Sequence, residues 1–236
     1  MQLDMTKGRP MPIIMRFFIP IFIGNMFQQF YNMVDSIIVG RYVGTEAFAA
    51  VGSTGTIMFL VLGFANGLAT GFTVLTSQRF GAKDEKGIRQ SVANAIFLSV
   101  IVSAVMTVFS ILSMKGLLHL LNTPSNIYLY AYDYIIIITG GTAAVCFYNL
   151  FSALLRAVGN SKAPLFFLIL SATLNIFLDL LFIIVFKWEV RGAALATIAS
   201  QAISAICCLI YILLKVKMLV PHRDEWRLKG SFAKRQ

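Results

Sequence analysis

Two carboxylates sit where carboxylates are expensive. Asp35 and Asp179 each lie inside a long apolar run, with no Lys or Arg away from the ends of those runs to pair with. An ionisable group at the centre of a membrane helix costs at least about 2.5–3.5 kcal/mol, so it normally faces a bundle interior or wet cavity and marks an ion or proton path. Asp35 ends a stripe of Asn25, Gln28 and Asn32 at steps of 3, 4 and 3, which one helical face collects. Amides alone also serve as glue between helices; the terminal carboxylate is what suggests chemistry. Asn175 and Asp179 form an i,i+4 pair on one face, and Thr197, Gln201 and Ser204 share a face of the next apolar run. Two close carboxylates cannot both ionise cheaply. They would share a proton, or bind H⁺ or Na⁺ with oxygens from Asn175 and Thr197. The competing reading is two separate protonated carboxyls, each hydrogen-bonded to a neighbouring helix. Gln28, Tyr31, Asn32, Asn66 and Gln201 are candidates to line a cavity beside this cation or proton site.

The elements that must position these groups are membrane helices. Hydrophobic residues make up 58% of the 236-residue chain and charged ones 13%, against about 25% charged in a soluble domain. The expected fold class is therefore all-α integral membrane, a six-transmembrane-helix bundle. The spans are 12–40, 46–77, 90–114, 127–155, 163–187 and 191–214, each near or above the roughly 20 residues a bilayer requires. Residues 1–214 form the helical lobe, and 215–236 a basic tail or the start of a linker to a second lobe. Of the 20 Lys and Arg, 16 fall on one side: the N-terminus, the second and fourth loops and the tail. The positive-inside rule then puts both termini in the cytoplasm. The same distribution accounts for the net charge of +10 without invoking nucleic acid. Basic residues before an apolar run resemble a signal peptide, but polar Asn25–Gln29 follow at once with no small-residue cleavage site, so an uncleaved first helix is expected.

Depth supports a common site. Asp35 is six positions from Arg41, Asp179 eight from Lys187 and Thr197 six from Arg191, or about 9–12 Å below the outer ends at 1.5 Å per residue. Pro20 should kink or hinge the first helix, because it has no N–H to donate. Gly63, Gly67 and Gly71 form a flat ridge suited to close helix packing. The third span is plain scaffold. Tyr128, Tyr130, Tyr132 and Tyr134 suggest an interfacial aromatic belt, with Asp133 solvated beside them. Cys146, Cys207 and Cys208 lie in apolar runs and are packing residues. The charged tail after Pro221 lies on the anionic inner leaflet or is a disordered end.

These stretches together resemble the N-terminal lobe of a multidrug and toxic compound extrusion (MATE) transporter. The resemblance is carried by Pro20 with Tyr31-Asn32-x-x-Asp35, then Gly44-Thr45-Glu46-Ala47-x-Ala49-Ala50-Val51. It continues through Ser77-Gln78-x-x-Gly81-Ala82, Arg156-Ala157-x-Gly159-Asn160-x-x-x-Pro164, Asn175-x-x-x-Asp179 and Gly192-Ala193-Ala194-x-Ala196-Thr197. It implies that Asp35, Asn175, Asp179 and Thr197 form a cation site, and that the first helix bends at Pro20 when that site fills. It further implies a plasma-membrane antiporter with no cofactor, exporting organic cations or amphipathic compounds by alternating access in exchange for H⁺ or Na⁺. The departure is that such transporters have two lobes and this chain carries one. A second lobe in trans, or a parallel homodimer, would complete the cavity.

Other classes fit less well. A flippase of lipid-linked precursors would need cationic residues inside the cavity, and the spans hold none away from their ends. An intramembrane enzyme finds no support: there are two histidines, no HExxH and no nucleophile–base spacing. An inactive single-lobe fragment is the serious rival.

Overall fold

Three tight turns tie the first half of the chain into antiparallel helices. The computed structural model describes residues 10–222 and Glu225. Helix α1 (Pro10–Tyr42) turns at Gly44, φ 131°, into α2 (Thr45–Gly81). Helix α3 (Glu85–Leu120) is started by Asp84, whose carboxylate accepts the Gly87 N–H at 2.9 Å and the Arg79 guanidinium at 2.8 Å. That arrangement satisfies one of the otherwise unpaired N–H groups of the helix start. After a turn at Asn122 come α4 (Ser125–Gly140) and α5 (Thr142–Ala157), then α6 (Lys162–Asp179) and α7 (Glu189–Lys215). The Gly159-Asn160 pair explains itself locally: Gly159 takes φ 78°, and the Asn160 side chain accepts the Ala163 N–H at 3.1 Å to cap α6.

Five helices are long and apolar enough to cross a membrane singly, and α4 with α5 makes a sixth span bent by 49°. The fourth expected span is thus a broken one. The break falls at Gly140-Gly141, where α7 comes so close that a Cβ on Gly141 would lie 2.5 Å from the Ile198 side chain. The fifth span also differs from a plain helix. Directly after Asp179 the backbone widens into a π-helical turn, Leu180–Val185, where Phe186 N–H reaches back five residues to Leu181 O at 3.1 Å. Such turns are rare and concentrate at functional sites.

Helix α7 is central, packing on α4, α5 and α6, while α2 packs on α3, α4 and α5. Helix α1 leans on α6 and α2, with Gly24 set against Leu168, and leaves most of its length exposed. It continues unbroken through Pro20, so the expected kink is not a break in the helix. Pro20 does leave the Arg16 carbonyl without its usual i+4 donor.

Several expectations need correcting. The Gly63, Gly67 and Gly71 ridge does not receive another helix of this chain, since a Cβ at any of the three would meet nothing within 4 Å. Tyr134 is no belt residue: it is 2% exposed in a core cluster with Ile38, Val39 and Ile138. It follows Ile127 by seven residues and precedes Ile138 by four, which places it on the apolar face of α4. Tyr128 and Tyr132 are half-buried instead, stacked at 6.4 Å, with Lys115 over the Tyr132 ring. Asp133 keeps partial exposure, as expected, but is paired. Arg191 of α7 donates to it from Nε at 3.0 Å and Nη2 at 2.9 Å, closing that end of the bundle.

The segment after α7 is ordered where it is described. Lys217–Leu219 makes a 3₁₀ turn, Val216 and Leu219 are buried, and Glu225 meets Arg89 of α3 through both carboxylate oxygens at 3.0 Å. Residues 1–9, with Lys7 and Arg9, and 223–224 and 226–236, most of the basic tail, lie outside the described residues.

Candidate cation and proton site

Asp179 is the last residue of α6 proper, and its position follows from its neighbours on both sides. Four residues earlier, Asn175 donates from Nδ2 to Thr197 Oγ1 of α7 at 3.3 Å, which ties the two helices together. Immediately after it, the π turn is held by Trp188 N–H to Phe182 O at 3.0 Å and by Gly192, whose missing Cβ would lie 3.1 Å from Phe182 Cβ. The carboxyl is fully buried, at 0% exposure, and Asn175 is at 1%.

Asp35 reaches the same point from α1. Its surroundings are Ile38 and Val39, the only other buried residues in this half of α1. The Asp35 and Asp179 carboxyls lie within hydrogen-bonding reach of one another. No donor from the described residues reaches Asp35 Oδ1 or either oxygen of Asp179, and Asn175 Oδ1 is equally without a partner. Buried polar atoms are nearly always satisfied, so four such oxygens in one place need a proton, a water or a cation.

The remaining candidates divide. Gln201, 6% exposed, approaches the Tyr31 hydroxyl together with Gln28, and its Oε1 is also unpartnered. Thr197 and Tyr31 are half-buried at the edge of this cluster. Asn25, Gln28, Asn32 and Asn66 are exposed on the outside of the lobe, so whatever they line is not enclosed by this chain. Tyr134 was unforeseen here: it is buried in one cluster with Ile38 and Val39, the neighbours of Asp35 on α1. Its signal in the sequence, helical spacing with Ile127 and Ile138, was masked by the run of alternating tyrosines.

The MatE family profile matches residues 20–181, more than half of the chain. The chain belongs to the MatE family. It is 33% identical over 226 residues to the probable multidrug resistance protein YpnP of Bacillus subtilis, covering 94% of this chain and 51% of that one. Among solved structures it superposes with a TM-score of 0.89 and 26% identity on a multidrug resistance MATE family transporter of the MOP superfamily in an outward-facing conformation, covering 97% of this chain and 51% of that one. A MATE protein in a bent conformation matches at a TM-score of 0.87 with 26% identity, again over 96% of this chain and 51% of the other. The chain spans about half the length of these MATE proteins, as one lobe of two would.

Proposed function

We propose that this MATE lobe works in a cation-coupled antiporter that exports organic cations or amphipathic toxic compounds, completed by a second lobe or a second copy. The observation that carries this reading is the buried Asp35–Asp179 pair with no donor of its own. Binding a proton between the carboxyls, or Na⁺ among Asp35, Asp179, Asn175 and Thr197, satisfies oxygens that are otherwise orphaned. Carboxylate, carbonyl and hydroxyl oxygens are the ligands a hard cation prefers. Because α1 supplies one carboxyl and α6 the other, filling the site draws α1 towards α6. Emptying it leaves two carboxylates that repel each other. That is the differential interaction a transporter needs to bias one conformation over another. Pro20 supplies the weak point in α1 at which such a movement is absorbed. The basic second and fourth loops and α7 end then face the cytoplasm, and the site lies in the outer half of a plasma membrane.

The test is efflux of a fluorescent organic cation from cells expressing the chain, alone and together with a second MATE lobe, beside Asp35→Asn and Asp179→Asn. Each neutralised variant should lose coupled efflux by roughly tenfold or more, the scale set by losing about 1.4 kcal/mol of coupling. Full efflux in both variants would show that coupling resides elsewhere. Efflux only when the second lobe is present would identify the chain as half of the machine.

A further inference from the structure

A cavity of about 620 Å³ opens among α3, α5 and α7. Val92 and Ile96, Ala143 and Phe147, and Ala202 and Leu209 line its walls, and every other lining side chain is apolar too. Its floor is the segment Leu219–Pro221 that follows α7. The cation site uses none of these residues. We propose that this cavity is a binding site for one acyl chain of a phospholipid from the leaflet where α7 ends, with preference for an anionic head group.

Three observations support that occupant. The first is depth. Along α7 the lining runs from Ala202 to Leu213, eleven positions, or about 16 Å at 1.5 Å per residue. One leaflet of a roughly 30 Å hydrocarbon core is about 15 Å. The cavity therefore starts near the midplane and ends at the membrane surface. The second is chemistry. Ile206 and Leu213 on the cavity wall are 58% and 47% exposed, so the opening faces sideways into lipid. No polar side chain lines it to hold water, and an empty apolar void of this size forfeits dispersion contacts with its walls.

The third is charge beside the floor. Lys215 and Lys217 are both exposed and bracket the turn from α7 into the floor. They stand where the phosphate of a lipid seated in the cavity would lie, and basic residues near such a surface favour an anionic lipid. The floor is itself fastened. Glu225 accepts the Arg89 Nε through both oxygens at 3.0 Å and the His222 N–H at 2.9 Å, which pins the segment to the start of α3. An Arg89→Gln substitution should loosen the floor without touching the walls.

The experiment uses the purified chain in mild detergent with added phosphatidylglycerol or phosphatidylcholine, read by native mass spectrometry. A phosphatidylglycerol bearing a photoreactive group on its acyl chain maps the contact. One phosphatidylglycerol should be retained per chain, with cross-links concentrated on residues 143–154 and 202–213. Ala143→Phe with Ala202→Phe should cut retention by roughly tenfold, since displacing even a pair of methylenes costs that much. Val105→Phe, on the exposed face of α3, should leave retention unchanged. Lys215→Gln with Lys217→Gln should keep a lipid but lose the preference for phosphatidylglycerol. Cross-links spread over the exposed faces of α1 and α3 in proportion to their exposure would overturn the proposal. So would unchanged retention in the double Phe variant. The cross-linking arm needs no substitution, so a variant that fails to fold does not rescue or sink the idea.

Discussion

The Asn175–Thr197 hydrogen bond sets the site more than either carboxylate does, because it fixes the face that α6 turns towards α7. Thr197→Ala would leave Asn175 Nδ2 buried without an acceptor, in addition to the Asn175 Oδ1 already lacking a partner. We expect a loss of about 1–3 kcal/mol, visible as a lower thermal midpoint in detergent. Thr197→Ser keeps the hydroxyl and should melt close to the wild type. Glu225 offers a pH handle outside the membrane. Burial pushes its carboxyl up, but the His222 N–H and the Arg89 guanidinium outweigh this and hold it below its ordinary value of 4.5. A lowered folded value means the contact contributes stability fully above pH 4.5 and loses it as pH falls through that folded value. Amide exchange in Val216–Val220 should therefore quicken only in that acid range. In Glu225→Gln it should already be fast at neutral pH.

Among the elements, the bent α4–α5 pair and the π turn after α6 are the departures from straight spans, and both are built around α7. Gly141→Ala would drive a methyl group into Ile198 and should cost about 1–3 kcal/mol as an overpacked contact. Combining it with Ile198→Ala should recover most of that loss. Additive losses in this double-mutant cycle would mean that the glycine is needed for the bend itself rather than for the approach of α7. The six apolar spans were legible from length and hydropathy alone. The break at Gly140-Gly141 was not, because a glycine pair inside an apolar run fits a tight crossing equally well. The π turn had no signal, since LLFIIV reads as ordinary helix.

For the whole molecule, the exposed apolar length of α1 and the open Gly63–Gly67–Gly71 ridge of α2 are surfaces this chain does not cover. On helix propensity alone, Gly67→Ala should stabilise the isolated lobe by about 0.5–1 kcal/mol, because the methyl meets nothing within 4 Å. Gly67→Leu should leave the lobe folded by circular dichroism. If a partner lobe packs on the ridge, as we expect of a two-lobed transporter, it should also weaken cysteine cross-linking between lobes. Undiminished cross-linking would place the partner on another face.

Membrane residence, span number and the two out-of-place carboxylates were determined by sequence alone, because inserting polar groups into hydrocarbon is costly enough to leave a compositional trace. The match of Asn175 to Asp179 was equally plain, since i,i+4 spacing fixes a shared face whatever the tertiary context. Which polar residues meet was decided only by the fold. Asn25, Gln28 and Asn32 share a stripe with Asp35, yet only Asp35 turns inward, because α1 leans on α6 at Gly24 and again near Ile38 and Val39. Tyr134 packs with Ile38 and Val39 of α1, Asp133 finds Arg191, and Glu225 crosses to Arg89 through contacts between residues far apart in the chain. Helical periodicity fixes the face of one helix; how that face is rotated towards its neighbours depends on side-chain packing across the bundle.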